Sequence, residues 1–124
     1  MKYPKFLSEK GTIGFVAPSF GCNIEPYKTA FDNSLTKFGE LGHKLDLGPN
    51  CYEGSGIGIS NTPQACGKEL AEYYCSVDND VLISVGGGEL MCETMSQVEF
   101  DMETLAPTYR FIMGSTGQSN ALDI

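Results

Sequence analysis

The chain has 124 residues, enough for one domain with its own hydrophobic core. Apolar residues make up 41% of it, which argues against an intrinsically disordered chain and is typical of a soluble globular protein. The formal net charge of -8 disfavours nucleic acid and anionic membrane surfaces as partners.

The cysteine content and the chain start indicate a cytoplasmic protein. Five cysteines, an odd number, include no CxxC pair, so we expect neither a disulfide framework nor a structural zinc site. No apolar run approaches the roughly 20 residues of a membrane span, and residues 1–10 lack the apolar middle of a signal peptide. We therefore expect a cytoplasmic location and no membrane partner.

Four apolar runs alternate with three helical patterns along the chain. The patterns predict strands over residues 12–17, 43–47, 81–85 and 109–113, and helices over residues 26–41, 62–75 and 89–97. The first run, which Pro18 ends, is almost continuously apolar, as suits a parallel strand buried on both faces. Pro26 and Thr62 fit the starts of the first two helices, and Gly42 fits the end of the first.

This alternation predicts an α/β fold with a mostly parallel sheet and helices on both faces. In such a sheet, ligands bind beyond the carboxyl ends of the strands. Three connections rich in glycine or small residues lie there: residues 18–22, residues 86–89, and the chain from Gly114 onward.

Residues 86–89, with the sequence GGGE, leave a buried strand and enter a helix. Their free N–H groups could stabilise a phosphate or the oxyanion of acyl transfer, although a tight turn without a ligand is an equal alternative. Glu89 and Glu93 lie one helical turn apart and could do acid–base work, but a solvated helix face explains them better. The GSGIG segment at residues 54–58 fits neither GxGxxG nor GxxxxGK[ST], which favours a flexible surface loop over a nucleotide site.

Hydroxyl side chains at Ser115 and Thr116 follow the last strand, as in a nucleophile elbow, although the segment is not GxSxG. A hydroxyl nucleophile needs a base. The only histidine, His43, opens the second strand at the opposite edge of the sheet, where a solvated or capping role is expected. No complete Ser-His-acid triad can therefore be assembled within this chain.

Four segments, in the right order, resemble the LD-carboxypeptidase and microcin C immunity family of serine peptidases. They are GTIGFVAPS at residues 11–19, LGPNCY at 47–52, ISVGGGELM at 83–91 and RFIMG at 110–114. The resemblance implies a flavodoxin-like amino-terminal domain that carries the nucleophilic serine in a G-x-S-D-x-T motif. A second domain supplies the glutamate and histidine, and neither a metal nor an organic cofactor is used.

Carried over to this sequence, the resemblance makes Gly87, Gly88 and Glu89 oxyanion or substrate-loop residues. Ungapped alignment places Thr116 at the nucleophile position. Gly117 then stands where the motif has its aspartate, the residue after the nucleophile whose N–H belongs to the oxyanion hole. A slip of one residue makes Ser115 the nucleophile instead.

The sequence departs from the family beyond residue 114. We therefore divide the chain into an amino-terminal domain at residues 1–114 and a tail at residues 115–124, and expect the carboxy-terminal catalytic domain to be absent. The expected function is part of a serine carboxypeptidase or amidase acting on a muropeptide or a microcin-type peptidyl-nucleotide, with this chain inactive alone. The alternative is a non-catalytic domain that binds a small ligand at residues 86–88. An apolar patch left by the absent domain predicts a homodimer or other self-association.

Overall fold

The computed structural model describes residues 6–56, 58–76, 78–88 and 90–98, together with the backbone of residues 111–113. Its elements are β1 (Thr12–Val16), α1 (Tyr27–Glu40), β2 (Lys44–Leu47), α2 (Pro63–Cys75), β3 (Val81–Ser84), α3 (Leu90–Ser96) and β4 (Phe111–Met113). The predicted elements and their order are confirmed, with ends that differ by one or two residues. In the part of the chain described, no helix combines the length and apolar character needed to cross a membrane.

The four strands form one parallel sheet in the order β2-β1-β3-β4. In the register, Ile13 of β1 lies opposite Leu45 of β2 and Val81 of β3. The central position of β1 explains why its sequence is almost entirely apolar, because neighbours cover both of its edges and helices cover both of its faces. This strand order is the start of the flavodoxin-like order, as the family resemblance implies.

The helices pack on both faces of the sheet, as predicted. On one face, Phe15 contacts Phe31 of α1 in an edge-on arrangement with ring centroids 5.5 Å apart. On the other face, Val16 packs against Leu70 of α2 and Met91 of α3. Neighbouring residues of β1 therefore point into two different clusters, as the pleat of a strand requires.

Local signals at the helix ends are also present as expected. Thr62 precedes α2 as its N-cap, and its hydroxyl oxygen accepts a hydrogen bond from the Ala65 N–H at 3.2 Å. Gly42 follows α1 with φ of +90°, a backbone conformation that glycine adopts without strain.

We expect Thr62→Ala to lower the free energy of unfolding by about 1 kcal/mol, because the Ala65 N–H loses its acceptor at the helix start. Thr36→Ala on exposed α1 is the matched control, since its hydroxyl only bonds back to the Asp32 carbonyl of the same helix. Urea denaturation measures both variants. Equal stability of Thr62→Ala and Thr36→Ala would show that the cap contributes nothing.

Candidate functional site

A cleft of about 400 Å³ opens at the carboxyl ends of β1 and β3. Three separate connections meet in its wall: the segment after β1, the loop before α2, and the glycine loop between β3 and α3. Its lining residues are Phe20, Gly58, Ile59, Gly87, Gly88, Leu90 and Glu93. The cleft therefore lies where a parallel sheet of this topology places its ligands.

The glycine loop contributes Gly87 and Gly88 to the wall of this cleft. Val85 still donates its N–H to the Val16 carbonyl at 2.9 Å, so the chain leaves the sheet only after this residue. Among the described residues, no acceptor takes a hydrogen bond from the N–H of Gly87 or of Gly88. Gly88 has φ of +156° and directs its carbonyl to the Met91 N–H at 3.3 Å. Two backbone donors thus remain available at the wall of the cleft.

Ser19 lies against this loop and is fully buried. A Cβ atom on Gly88 would lie 2.5 Å from the Ser19 Oγ, so the hydroxyl sits directly against the Gly88 backbone. The Ser19 carbonyl accepts a hydrogen bond from the Ser60 N–H at 2.7 Å, but its hydroxyl has no partner among the described residues. A residue with any side chain at position 88 would displace it.

Two other buried hydroxyls fix the segment that leads to Ser19. The Ser60 hydroxyl donates to the Ala17 carbonyl at 2.8 Å, and the Thr94 hydroxyl donates to the Pro18 carbonyl at 2.7 Å. One hydroxyl comes from the loop before α2 and the other from α3, so the chain after β1 is held from both sides.

A buried carboxylate joins the ends of β1 and β2 beside the cleft. Glu69 of α2 is 2% exposed; its Oε1 accepts from the Ala17 N–H at 2.6 Å, and its Oε2 accepts from the Asn50 N–H at 2.7 Å. Gly48 leaves room for it, because a Cβ there would lie 2.6 Å from Oε2. Burial raises the pKa of the Glu69 carboxyl above its ordinary value, and the two N–H groups oppose this only in part.

None of the five cysteines lines the cleft. All five are free thiols, and burial is the main reason that the pKa of Cys51 rises to about 12. A thiol in this state is protonated at neutral pH and is a poor nucleophile. Within the described ranges, no three His, Cys, Asp or Glu side chains are grouped so that they could hold a metal ion.

The sequence matches the LD-carboxypeptidase N-terminal domain over residues 13–119. The chain belongs to this family. Solved structures of the microcin C7 self immunity protein MccF share the fold. The complex with glutamyl sulfamoyl guanosine superposes with a TM-score of 0.80 at 21% identity, and the wild-type apo form does so with 0.79 at 21%. Both comparisons cover 94% of this chain and 33% of MccF.

Curated relatives carry a different name. Proteins called endonuclease MutS2 are 32% identical over 108 residues in Staphylococcus epidermidis and 36% identical over 104 residues in Clostridium botulinum. Each alignment covers 82% of this chain, which spans only 12% of the length of these relatives.

The predicted site residues of this LD-carboxypeptidase N-terminal domain divide into those that lie at the cleft and those that lie outside the described residues. Gly87 and Gly88 lie in the cleft wall, and the exposed Glu93 lies at its rim. The other four, Glu89, Ser115, Thr116 and Gly117, lie outside the described residues. The family match extends through residue 119 and so includes the two hydroxyl positions that were aligned with the nucleophile.

His43 lies away from the cleft of this family domain, as its place before β2 predicts. It is half-buried, and its Nδ1 is 3.0 Å from the Gly11 carbonyl oxygen at the amino end of β1. The expectation of a solvated or capping residue is therefore only partly correct, because this contact and packing on Phe38 remove much of the ring from solvent. No described residue supplies a histidine to the cleft.

Sequence reasoning missed three contributors to the site: Ser19, Phe20 and Glu69. The connection after β1 had been identified as a place for chemistry, but nothing in the sequence distinguishes Ser19 from an ordinary turn residue. The prediction of a surface loop at residues 54–58 also did not include the position of the end of this loop at the cleft. Gly58 and Ile59 line the wall there, held by the hydrogen bonds of Ser60.

Proposed function

We propose that the chain is the amino-terminal part of a serine carboxypeptidase or amidase that hydrolyses a peptide-like amide through an acyl-enzyme. The observation that carries this proposal is the cleft at the carboxyl ends of β1 and β3, lined by Gly87 and Gly88, whose N–H groups no described residue accepts. Membership of the LD-carboxypeptidase family supports the same chemistry.

The geometry suits stabilisation of an oxyanion. Backbone N–H groups fixed before the reaction can stabilise the negative charge that develops on a carbonyl oxygen, and removing one such donor costs about 10²–10³ in rate. Gly87 and Gly88 are the donors that we assign to this role. Thr116, or Ser115 after a one-residue slip, would supply the nucleophilic hydroxyl.

We further propose that this chain does not turn over substrate alone. A hydroxyl nucleophile needs a general base, and His43 lies at the amino end of β1, at the opposite edge from the cleft. The glutamate and histidine that complete the triad in this family come from a second domain. The chain spans 33% of the MccF structures that it resembles, so activity belongs to the proposal for the whole protein.

The substrate class that we propose is a small peptide-like molecule. One solved relative binds aspartyl sulfamoyl adenosine, in which an amino-acyl group is joined to a nucleoside, and muropeptides are the second candidate. Phe20 at the cleft, which packs edge-on against Tyr27 at 5.3 Å, offers an aromatic surface to either. We do not extend a nucleic-acid role to this chain from the MutS2 relatives, because a net charge of -8 opposes binding to a polyanion.

The first test combines calorimetry with a hydrolysis assay on the purified chain. We expect saturable binding of aspartyl sulfamoyl adenosine or of a tetrapeptide that ends in D-alanine, with no hydrolysis above the buffer rate. Release of aspartate or D-alanine by the chain would overturn the proposed inactivity. No heat of binding with either probe would overturn the proposed site.

A second function, non-catalytic binding of a small ligand at residues 86–88, is favoured by the cleft volume itself. It predicts that inorganic phosphate or a short D-amino-acid peptide binds as tightly as an acyl sulfamate. A clear preference for the acyl sulfamate would instead favour the proposal that the chain is part of a peptidase.

Self-association remains a prediction. The side chains of Ile24 and Tyr27 are 52% and 53% exposed, and Tyr27 packs on Phe20 of the cleft wall. These exposed apolar side chains could drive self-association.

A further inference from the structure

Among the described residues, the Ser19 hydroxyl is one of three buried side-chain polar atoms without a hydrogen-bond partner; the other two belong to Asn79, which does not line the cleft. Buried hydroxyls are almost always hydrogen-bonded, because an unpaired one loses its contacts with water and gains nothing in return. Ser19 is 0% exposed, and its Oγ has no partner within the described part of the chain.

The surroundings do not force this hydroxyl to remain unpaired. The hydroxyls of Ser60 and Thr94 each donate to a backbone carbonyl in the two residues just before Ser19, at 2.8 Å and 2.7 Å. The Ser19 side chain points instead towards Gly88, where a Cβ would lie 2.5 Å from its Oγ. Gly88 lines the cleft, so the Ser19 hydroxyl lies directly against a residue of the cleft wall.

We propose that the Ser19 hydroxyl is a third hydrogen-bond donor of the cleft, which acts with the N–H groups of Gly87 and Gly88 on the carbonyl oxygen of a bound peptide-like amide. This inference rests on the proposed function and adds a residue that contacts the substrate. A small displacement of the Gly88 peptide, which glycine permits, brings the hydroxyl to the bound oxygen.

The charge at the cleft selects the kind of acceptor. None of the described lining residues is Lys or Arg, and the carboxylate of Glu93 lies at the rim. Three neutral donors beside a negative charge suit the oxygen of a neutral carbonyl better than a free phosphate or carboxylate. The ligand class is therefore a neutral acyl group, such as a peptide-like amide.

The test compares Ser19→Ala with Ser34→Ala, the same change at an exposed serine of α1 whose hydroxyl donates to the Ala30 carbonyl at 2.9 Å. Calorimetry with aspartyl sulfamoyl adenosine measures Kd, and urea denaturation measures the unfolding midpoint. We expect Ser19→Ala to weaken binding about three- to tenfold without lowering the midpoint, because it removes a donor that the free protein leaves unpaired. Ser34→Ala should keep both the midpoint and Kd close to wild type, within about twofold for Kd, because its hydroxyl is exposed and Ser34 does not line the cleft.

The outcomes separate this inference from the proposed function. Wild-type affinity in Ser19→Ala would overturn the role of the hydroxyl and leave the proposed cleft standing. A lowered midpoint in Ser19→Ala with unchanged Kd would mean that the hydroxyl is structural, which also overturns the inference. Failure of the wild-type chain to bind the probe would overturn the proposed function and this inference together.

Discussion

Glu69→Ala is expected to lower the free energy of unfolding by about 2–6 kcal/mol. The Glu69 carboxylate is the acceptor for the N–H groups of Ala17 and Asn50, and both hydrogen bonds are buried. Alanine leaves two donors without a partner, and each unpaired buried donor costs about 1–3 kcal/mol. The loss should also loosen the junction between the ends of β1 and β2, next to the cleft.

Glu72→Ala is the matched control, one turn along the same helix. Its side chain is 61% exposed and forms only a long ion pair of 4.0 Å with Lys68. We expect a change below about 0.5 kcal/mol, because exposed ion pairs contribute little. Urea denaturation at neutral pH measures both variants. Similar losses for the two glutamates would contradict the bridging role of Glu69.

The pH dependence of this effect has a defined sign. Burial, with a smaller contribution from the nearby Glu72 charge, raises the pKa of Glu69 above the ordinary 4.5. As pH rises past 4.5, the carboxyl ionises first in the unfolded chain, so wild type loses stability until the pH passes the raised value of the folded state. Relative to the non-ionising Glu69→Gln, wild type should therefore be most stable in acid, with an advantage that shrinks towards neutral pH.

Gly88→Ala is expected to weaken binding of aspartyl sulfamoyl adenosine more than tenfold. The new Cβ would lie 2.5 Å from the Ser19 Oγ, and alanine does not readily adopt φ of +156°. Such backbone strain costs about 1–3 kcal/mol, and the steric overlap adds to it. The glycine loop must therefore move, which displaces the two N–H groups from the cleft wall.

Two further variants separate strain from displacement of the loop. Gly56→Ala carries similar strain, at φ of +91°, but meets no atom within 4 Å, so it should destabilise the chain without affecting Kd. In the double variant Gly88→Ala/Ser19→Ala, loss of the hydroxyl relieves the overlap, so stability should partly recover while binding stays weak. Calorimetry and urea denaturation provide the readouts. Full affinity in Gly88→Ala would contradict the placement of the site.

The sequence was sufficient for the architecture because its signals are local. The apolar runs at residues 12–17 and 81–85 fall on β1 and β3, and Thr62 and Gly42 mark helix ends through hydrogen bonding and backbone conformation that depend on a few neighbours. Alternation of strand and helix then leaves few topologies, and the parallel sheet with helices on both faces follows.

The site was less predictable because its parts depend on tertiary contacts. Glu69 lies in a helix with several polar residues, so its sequence position predicts a solvated side chain. Only the folded chain brings Glu69 to the N–H groups of Ala17 and Asn50. Likewise, the unpaired hydroxyl of Ser19 is defined by its distance to Gly88, which is remote in sequence. A glycine in the sequence indicates that another group packs closely against the backbone there, but it does not indicate which group.

The most direct test of the central claim is a titration of the isotopically labelled chain with aspartyl sulfamoyl adenosine, followed through its backbone amide NMR signals. Our account predicts saturable shifts of Gly87 and Gly88 and of their cleft neighbours Phe20 and Ile59, with no shift at His43 on the opposite edge. Saturable shifts confined to other parts of the chain, or no shifts at all, would contradict the assignment of this cleft as the substrate site.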